Sequence, residues 1–334
     1  MPNHLLRINS RRILYSFLPV LPLLVLLSAS APAQTTYSYR HAIDDPLGQQ
    51  KSPVYEIYGQ YAVRGSKIHI ASLRVMFDIG ITQVAHMDNV SQAWRCFIHD
   101  DDIIALKFTR TASRQISTNQ DVAAALLECL YQAGFKPENI MLVGLDDLPS
   151  QAQGTRPWHY GWQNKDVNFS TGCGRLAQWV DEVTAIINIP TLMDDNIMGL
   201  RGTLANLSFP LLKQPARLYI NNGDPFIPEI YALPQIRPKV RLHIANALRI
   251  LYYGGPQVQQ KYLDENSSLI FSTDPVALDR IGLELIRRDR REFPLPRLAE
   301  VNIEVTYLQT AQTMGLGYQD LNFIEYRHIK MEKD

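Results

Sequence analysis

The chain contains few cysteines, and their spacing argues against the usual cysteine-based sites. Its 334 residues include three cysteines, Cys96, Cys129 and Cys173. No two have the Cys-x-x-Cys spacing that zinc sites and iron–sulfur clusters use, so we expect no iron–sulfur cluster. An odd number also leaves at least one thiol without a disulfide partner, so this is not a disulfide-stapled scaffold.

The chain also lacks a net charge and the standard catalytic motifs. Its 33 basic residues are balanced by 33 acidic ones, so electrostatics gives no reason to expect nucleic acid as a partner. There is no Walker A motif, Rossmann glycine fingerprint, Gly-x-Ser-x-Gly elbow or His-Glu-x-x-His pair. These absences argue against NTPase, dehydrogenase, α/β-hydrolase and zincin activities.

What is present begins with an export signal. A basic segment with Arg7, Arg11 and Arg12 precedes the apolar residues 13 to 27, which are interrupted by two prolines. The small residues Ala31-Pro32-Ala33 then predict cleavage before Gln34. The apolar stretch is too short for a membrane span. We therefore expect residues 1–33 to be a signal peptide, the mature protein to be periplasmic or extracellular, and no stable membrane anchor to remain.

The export route stays open between two alternatives. Ser10-Arg11-Arg12-Ile13-Leu14 resembles a twin-arginine signal, which exports folded proteins. Paired arginines also precede ordinary Sec signals, and this apolar stretch is hydrophobic for the Tat route. The expected partner is therefore the export machinery, Tat or Sec.

The remaining residues predict a single α/β domain with a mostly parallel central sheet and flanking helices. Residues 34–68 are expected to form an irregular N-terminal arm, and residues 69–330 the domain, which opens with a helix over His69 to Val84. Strand 103–108, a helix capped within 117–119 and ended by Gly134, and strand 139–144 make a βαβ unit with parallel strands. Ligands of such sheets bind at the carboxyl ends of the strands, where Thr109, Arg110, Asp146 and Asp147 follow.

Further elements are predicted along the rest of the domain. Residues 146–182 have weak periodicity, which is typical of a functional loop or lid, and include Trp158 and Trp162. Strands are expected at 183–189, 240–245 and 269–272, whereas 196–207 is ambiguous between helix and loop. Asp274 as N-cap with Pro275 behind it starts a long helix, and a last helix runs to Met314.

An ordered series of short motifs resembles domain-of-unknown-function family 362, particularly its exported, Tat-type members. The series covers roughly residues 70 to 330. Its segments are 105–108, 117–122, 188–206, 224–230, 233–236, 242–244, 254–256, 274–279 and 315–320. The resemblance implies an α/β fold and little settled biochemistry. Many relatives carry a ferredoxin-like cysteine module that this chain lacks, so a redox role does not carry over.

The chain departs from the family pattern at positions that would carry charge. Where the pattern has Lys, His and Lys after the third strand, this chain has Met193, Asp195 and Ala205, and its Asp-Gly pair is replaced by Asn246-Ala247. These changes remove fixed positive charge and a group that titrates near neutral pH. Lys107 is the cation that remains.

The candidate site residues follow from these patterns, each with a structural alternative. Lys107, His243 and Asp279 are candidate catalytic groups; the alternatives are a snorkelling lysine, a satisfied core histidine and a helix residue beside the apolar face. Candidate ligand-binding residues are Asp146, Asn196, Arg201 and Asn206. Asp194 and Asp195 would suit a divalent metal or serve as turn caps. Cys173, between two glycines, is a possible reactive thiol or simply a small turn residue.

Two functions remain open from the sequence. The first is an exported enzyme with a divergent, oxygen-rich, metal-assisted pocket at the strand ends. The alternative is a non-catalytic ligand-binding or scaffold protein whose pocket has lost its lysine and histidine groups. The small-molecule ligand, the cofactor and the reaction are unknown at this stage.

Overall fold

The fold is built around a mixed, mostly parallel β-sheet. This computed structural model describes residues 51–110, 116, 118–293, 295 and 304–331, without the side chains of 216–218. The predicted signal peptide, residues 34–50 of the predicted arm and the cap candidate Ser117 lie outside the described residues. Nine strands form the main sheet here, with the path β13-β1-β12-β10-β8-β4-β5 and with β9 and β11 on β10. The strands are β1 (Ser52–Tyr58), β2 (Val63–Arg64), β3 (Lys67–Ile68), β4 (Ile104–Phe108), β5 (Ile140–Val143), β6 (Val167–Phe169), β7 (Gly172–Gly174), β8 (Ala185–Ile189), β9 (Thr191–Met193), β10 (Val240–Leu251), β11 (Leu263–Asp264), β12 (Ser268–Ser272) and β13 (Ile324–Lys330).

Helices cover both faces of this sheet. They are α1 (Ile70–Ala85), α2 (Val90–Arg95), α3 (Asn119–Gln132), α4 (Trp179–Glu182), α5 (Thr203–Asn206), α6 (Phe226–Tyr231), α7 (Pro275–Glu292) and α8 (Tyr307–Thr313). Residues of α1, α2 and α3 pack into the core on one face, and residues of α5 to α8 pack into the core on the other. The predicted α/β class with a mostly parallel sheet is confirmed.

The predicted βαβ unit is present. β4 and β5 pair in parallel, with Ile104 opposite Ile140 and Lys107 opposite Val143, and α3 connects them. Gly134 ends α3 with φ +95°, a conformation that glycine adopts at little cost. Thr118 is the N-cap of α3 but makes no side-chain capping bond, because its hydroxyl is hydrogen-bonded to Asn246.

The expected irregular arm is wrong for residues 52–58, which form β1. This strand lies between β12, antiparallel, and β13, parallel. Val54 is buried on one face of the sheet, and Tyr55 and Ile57 on the other. The buried Glu56, which accepts hydrogen bonds from Asn266 and Tyr326, interrupts the apolar pattern. Both partner strands lie more than two hundred residues away, so local periodicity gave no sign of this strand.

Most other predicted elements are present with shifted ends. α1 begins after the N-cap His69 and buries Leu73, Phe77, Ile81 and Val84, as expected. β10 continues to Leu251, beyond the predicted end at 245, because Asn246 and Arg249 conceal the strand pattern. The ambiguous stretch 196–207 is helical only over α5. The described chain contains no helix with the length and apolar character needed to cross a membrane.

Candidate functional site

A row of polar residues crosses three adjacent strands on one buried face of the sheet. Lys107 of β4 is opposite Asn188 of β8, and Asn188 is opposite His243 of β10. Side chains alternate between faces along a strand. Ile104, Leu106 and Phe108 therefore enter one core, and Ala105 the other, which is the face that Lys107 shares. We call Lys107, Asn188 and His243 the polar row.

Asn206, the last residue of α5, joins the polar row into a continuous hydrogen-bonded chain. Its side-chain amide nitrogen donates to Asn188 Oδ1 at 2.7 Å and to the Lys107 carbonyl at 3.1 Å. Its Oδ1 accepts from Lys107 Nζ and from Thr109 Oγ1, each at 3.1 Å. A single amide thus satisfies four partners, as a buried polar group requires.

The chain continues from Asn188 to His243. Asn188 Nδ2 donates to the Thr203 carbonyl at 2.9 Å and lies 3.0 Å from His243 Nδ1. Because Asn188 donates to Nδ1, the ring proton belongs on Nε2, which is 3.2 Å from the Tyr231 hydroxyl. His243 is fully buried and is not among the residues that line the cavity described below. Both ring nitrogens of His243 thus have hydrogen-bond partners, which matches the alternative of a core histidine rather than a catalytic one.

A second set of hydrogen bonds holds the carboxyl end of β4 against the start of α3. Thr109 Oγ1 accepts from the Thr191 backbone N–H at 3.0 Å. The Thr191 hydroxyl donates to Asn119 Oδ1 at 3.1 Å, and Asn246 Nδ2 donates to the same oxygen at 2.9 Å. The polar groups at the strand ends are therefore fixed by packed neighbours.

The amine of Lys107 is buried with two neutral acceptors. Lys107 is 3% exposed. Its Nζ donates to the Phe108 carbonyl at 2.6 Å and to Asn206 Oδ1 at 3.1 Å. Among the described residues, no carboxylate forms an ion pair with it. Burial away from water disfavours the charged amine and lowers the pKa of Lys107 to about 7.

A cavity of about 410 Å³ lies beside the carboxyl ends of β4 and β5, and Lys107 lines its wall. Its described lining combines cationic and aromatic side chains and contains no Asp or Glu. The basic residues are Lys107, Arg110, Arg201 and Lys213, and the aromatic ones are Trp158, Tyr160, Trp162, Trp179 and Phe209. The long segment after β5, expected to be a functional loop, supplies Trp158, Tyr160 and Trp162. The position is the one at which open parallel sheets bind their ligands.

Asp279 positions α5 from the neighbouring helix α7. Its carboxylate accepts from the Thr203 N–H at 2.5 Å and the Leu204 N–H at 3.1 Å, so it satisfies the amino end of α5. A Cβ at Gly202 would lie 2.1 Å from Asp279 Oδ1, so glycine is needed there. Burial raises the pKa of Asp279 to about 7. Asp279 is not among the cavity-lining residues; it holds the segment that carries Asn206.

The carboxylates of Asp194 and Asp195 are each engaged by protein groups. Asp194 pairs with Arg290 and accepts from the Gly255 N–H at 3.0 Å; burial raises its pKa to about 6. Asp195 accepts from the N–H groups of Ile197 and Met198, both at 2.9 Å. Its other oxygen is 2.7 Å from Arg201 Nε.

Asp195 therefore caps the turn, as the structural alternative expected. Asp194 instead forms an ion pair with Arg290. Among the described residues, no group of three or more His, Cys, Asp or Glu side chains is arranged to hold a metal ion. The metal site remains a prediction that these contacts do not support.

The other predicted residues are divided between the cavity and the surface. Arg201 and Asn206 line the cavity, and Asp146 forms an exposed ion pair at 2.9 Å with Arg110 of the lining. Asn196 is exposed and joins Gly255 through its backbone N–H. Cys173 is exposed on the β6–β7 hairpin, and it is not among the cavity-lining residues.

Sequence reasoning missed the residue that connects the site. Asn188 is fully buried in β8 between apolar neighbours, and a lone amide in a buried strand was the available signal. Tyr231 and Thr191 carried no such signal, because their partners come from other parts of the chain.

These features define an α/β domain with an aromatic, cation-lined cavity at the carboxyl edge of a mostly parallel sheet. Residues 164–284 match the model of the family described as domain of unknown function, DUF362, which is the family that the motifs of the sequence resemble. The match spans β6 to most of α7, including Asn188, Asn206, His243 and Asp279. A search of curated proteins found no match.

Proposed function

We propose that this protein binds a small organic anion with a planar body in the cavity beside β4 and β5. The observation that carries the proposal is the lining itself, in which four basic and five aromatic side chains surround a space of about 410 Å³ without a described acidic residue. Pockets that bind small molecules combine an apolar wall with a few convergent polar groups. This lining has that composition with positive polar groups.

The cationic side chains favour an anionic group on the ligand. Among the described residues, Arg110 pairs with the exposed Asp146 alone. An exposed ion pair contributes at most about 1 kcal/mol, so a ligand can replace that carboxylate. Lys213 is exposed and forms no ion pair among the described residues. Charge-assisted hydrogen bonds from such groups are about twice as strong as neutral ones.

The aromatic side chains favour a planar body. Tyr160 and Trp162 meet edge to face, with ring centroids 5.7 Å apart, and Phe209 packs against Tyr219 at 4.9 Å. Tyr160 lines the cavity and is also exposed to solvent. A flat ligand entering here gains contact with aromatic surface, which contributes more than its buried area alone.

The proposal follows the ligand-binding alternative rather than the metal-assisted enzyme. The metal-assisted hypothesis needs Asp194 and Asp195 to present free oxygens, and both carboxylates bond arginines. A cationic, aromatic cavity has different chemistry, suited to an anion. The cavity also retains Lys107, the one lysine that remains from the resembled pattern, in its wall.

The test is binding of a matched acid and amide. Titration calorimetry with 2-naphthoate and with neutral 2-naphthamide compares the same planar body with and without charge. We expect the acid to bind about tenfold more tightly, because one charge-assisted hydrogen bond adds roughly 1.4 kcal/mol. Quenching of tryptophan fluorescence is expected on binding, since three of the four tryptophans line the cavity.

The matched variants locate the binding. Arg110→Gln with Lys213→Gln should weaken naphthoate binding about tenfold and leave naphthamide unchanged. Lys51→Gln with Lys136→Gln removes the same charge from exposed positions outside the cavity and should change neither. Equal affinity for acid and amide, or an equal loss in the control variant, would contradict the proposal.

We also propose that the protein acts outside the cytoplasm, after removal of residues 1–33. The support is the order of basic, apolar and small residues at the N-terminus. Exported Tat or Sec substrates differ in whether they fold before translocation, so the route bears on whether the ligand is bound before export.

A further inference from the structure

We propose that the amine of Lys107 forms an imine with the carbonyl group of an oxo acid bound in the cavity. The inference rests on the proposed function, because the cavity must first bind the anion. It adds a covalent step and narrows the ligand class to aldehydes and ketones that carry a carboxylate.

The hydrogen bonds of Lys107 fit a neutral amine. An ammonium has three donors, whereas an uncharged amine has two donors and a lone pair. Nζ has two acceptors among the described residues, the Phe108 carbonyl at 2.6 Å and Asn206 Oδ1 at 3.1 Å. Both hydrogens of the neutral amine are thus placed, and the remaining position holds the lone pair.

The surroundings favour the neutral form of the amine and place it in contact with the cavity. Lys107 is almost fully buried, and no described carboxylate pairs with it to stabilise a positive charge. A Cβ built on Gly144, another lining residue, would be 3.7 Å from Nζ, so the amine lies at the cavity wall. A desolvated lysine in an apolar pocket is the form in which amines act as nucleophiles. The pKa of about 7 agrees with this arrangement.

The reaction balances without any further reagent. The Nζ lone pair attacks the carbonyl carbon, the C=O π bond breaks as a C–N bond forms, and one amine proton moves to the carbonyl oxygen to give the carbinolamine. Loss of that oxygen with the two amine hydrogens as water leaves the C=N bond. No oxidant, reductant or metal is required, and hydrolysis reverses the step.

The lining explains why the carbonyl compound should be an acid. Lys107 lies at the buried end of β4, whereas Arg110 and Lys213 are exposed. All three residues line the same cavity, so an oxo acid whose carboxylate is bound by the outer cations enters the cavity whose wall holds Nζ. A carbonyl compound without the anionic group lacks this orientation, and holding the reacting atoms in place is a large part of such a rate.

The experiment traps the imine on the native chain. The protein is incubated at pH 7 with phenylpyruvate and sodium cyanoborohydride, which reduces the C=N bond to a stable amine, and the modified lysine is identified by peptide mass mapping. At a pKa of about 7 half of the Lys107 amine is neutral, against roughly one part in a few thousand for an ordinary lysine. We expect labelling of Lys107 at least about tenfold above that of exposed Lys136.

Phenyllactate is the matched control, because its hydroxyl replaces the carbonyl group. It should bind with similar affinity, leave no label and protect Lys107 in competition. Label confined to Lys107 and blocked by phenyllactate supports the inference. Binding of both acids with no label on Lys107 overturns the imine and leaves the proposed function standing. Failure of both acids and of 2-naphthoate to bind overturns both.

Discussion

Replacing the buried lysine by methionine is expected to stabilise the protein in a strongly pH-dependent way. Lys107→Met keeps an unbranched side chain of similar length and removes the amine from the apolar surroundings. In the folded protein burial lowers the pKa of this amine to about 7, whereas an unfolded lysine titrates near 10.4. The folded state therefore binds the Lys107 proton less readily than the unfolded state.

The sign follows from proton binding. Between pH 7 and about 10 the unfolded chain holds a proton on this amine that the folded chain has lost, so the stability of the parent rises with pH over that range. Below pH 7 the full cost of burying the charge is present. Each pKa unit corresponds to about 1.4 kcal/mol, so between pH 6 and pH 9 the parent gains about 3 kcal/mol relative to Lys107→Met.

The hydrogen bonds set the absolute difference. The variant loses the bonds to the Phe108 carbonyl and Asn206 Oδ1, which contribute roughly 1 kcal/mol each. Asn206 keeps its bond from Thr109. We therefore expect the variant to be more stable than the parent by a few kcal/mol at pH 6 and close to it at pH 9.

Urea unfolding followed by tryptophan fluorescence at pH 6, 7, 8 and 9 measures this difference. Other groups titrate in the same range, so the quantity of interest is the parent minus the variant at each pH. Lys136→Met, at an exposed position, should show a difference that does not change with pH. A parent-minus-variant difference for Lys107→Met that is constant from pH 6 to 9 would refute the neutral buried amine.

Three further predictions concern the supporting carboxylates and the N-terminus. Burial raises the pKa of Asp279 to about 7. The stability that the protonated carboxyl contributes is therefore full below pH 4 and is lost as pH rises to 7. In urea unfolding the parent should lose about 3 kcal/mol relative to Asp279→Asn between pH 4.5 and 7.5. Asp194→Asn removes the carboxylate partner of buried Arg290 and should cost roughly 3 kcal/mol in the same assay, against a negligible effect of exposed Asp101→Asn. The exported protein should begin at Gln34, which intact mass analysis with N-terminal sequencing checks; a chain retaining residues 1–33 in the exported fraction contradicts this.

Local sequence signals were sufficient for the elements whose pattern and caps lie within one segment. α1 shows an apolar stripe, and β4 and β5 show apolar runs. α7 begins after the N-cap Asp274, with Pro275 at its first position, and the Asp274 carboxylate accepts from the N–H groups of Val276 and Ala277 as expected. β1 was missed because its pairing partners are β12 and β13, at the far end of the chain. Pairing between distant segments leaves no periodic signal in either.

The sequence identified several residues of the candidate site but not how they contact one another. Lys107, Asn206 and His243 were each identified from the sequence, and the structure brings them into one hydrogen-bonded chain through Asn188. The roles differ because a contact depends on register. His243 is opposite Asn188 and is bonded on both ring nitrogens, which no single segment reveals.

Two of the departures from the resembled pattern, at Asp195 and Ala205, have different physical consequences. Asp195, where the pattern has histidine, meets Arg201, so the charge at that position is compensated by a neighbour. Ala205, where the pattern has lysine, lines the cavity beside Asn206 and removes a cation from it. A second ammonium there would repel the first and depress both pKa values further. With alanine at 205 the low pKa of Lys107 rests on burial alone, and the cavity has room for a ligand next to a single buried amine.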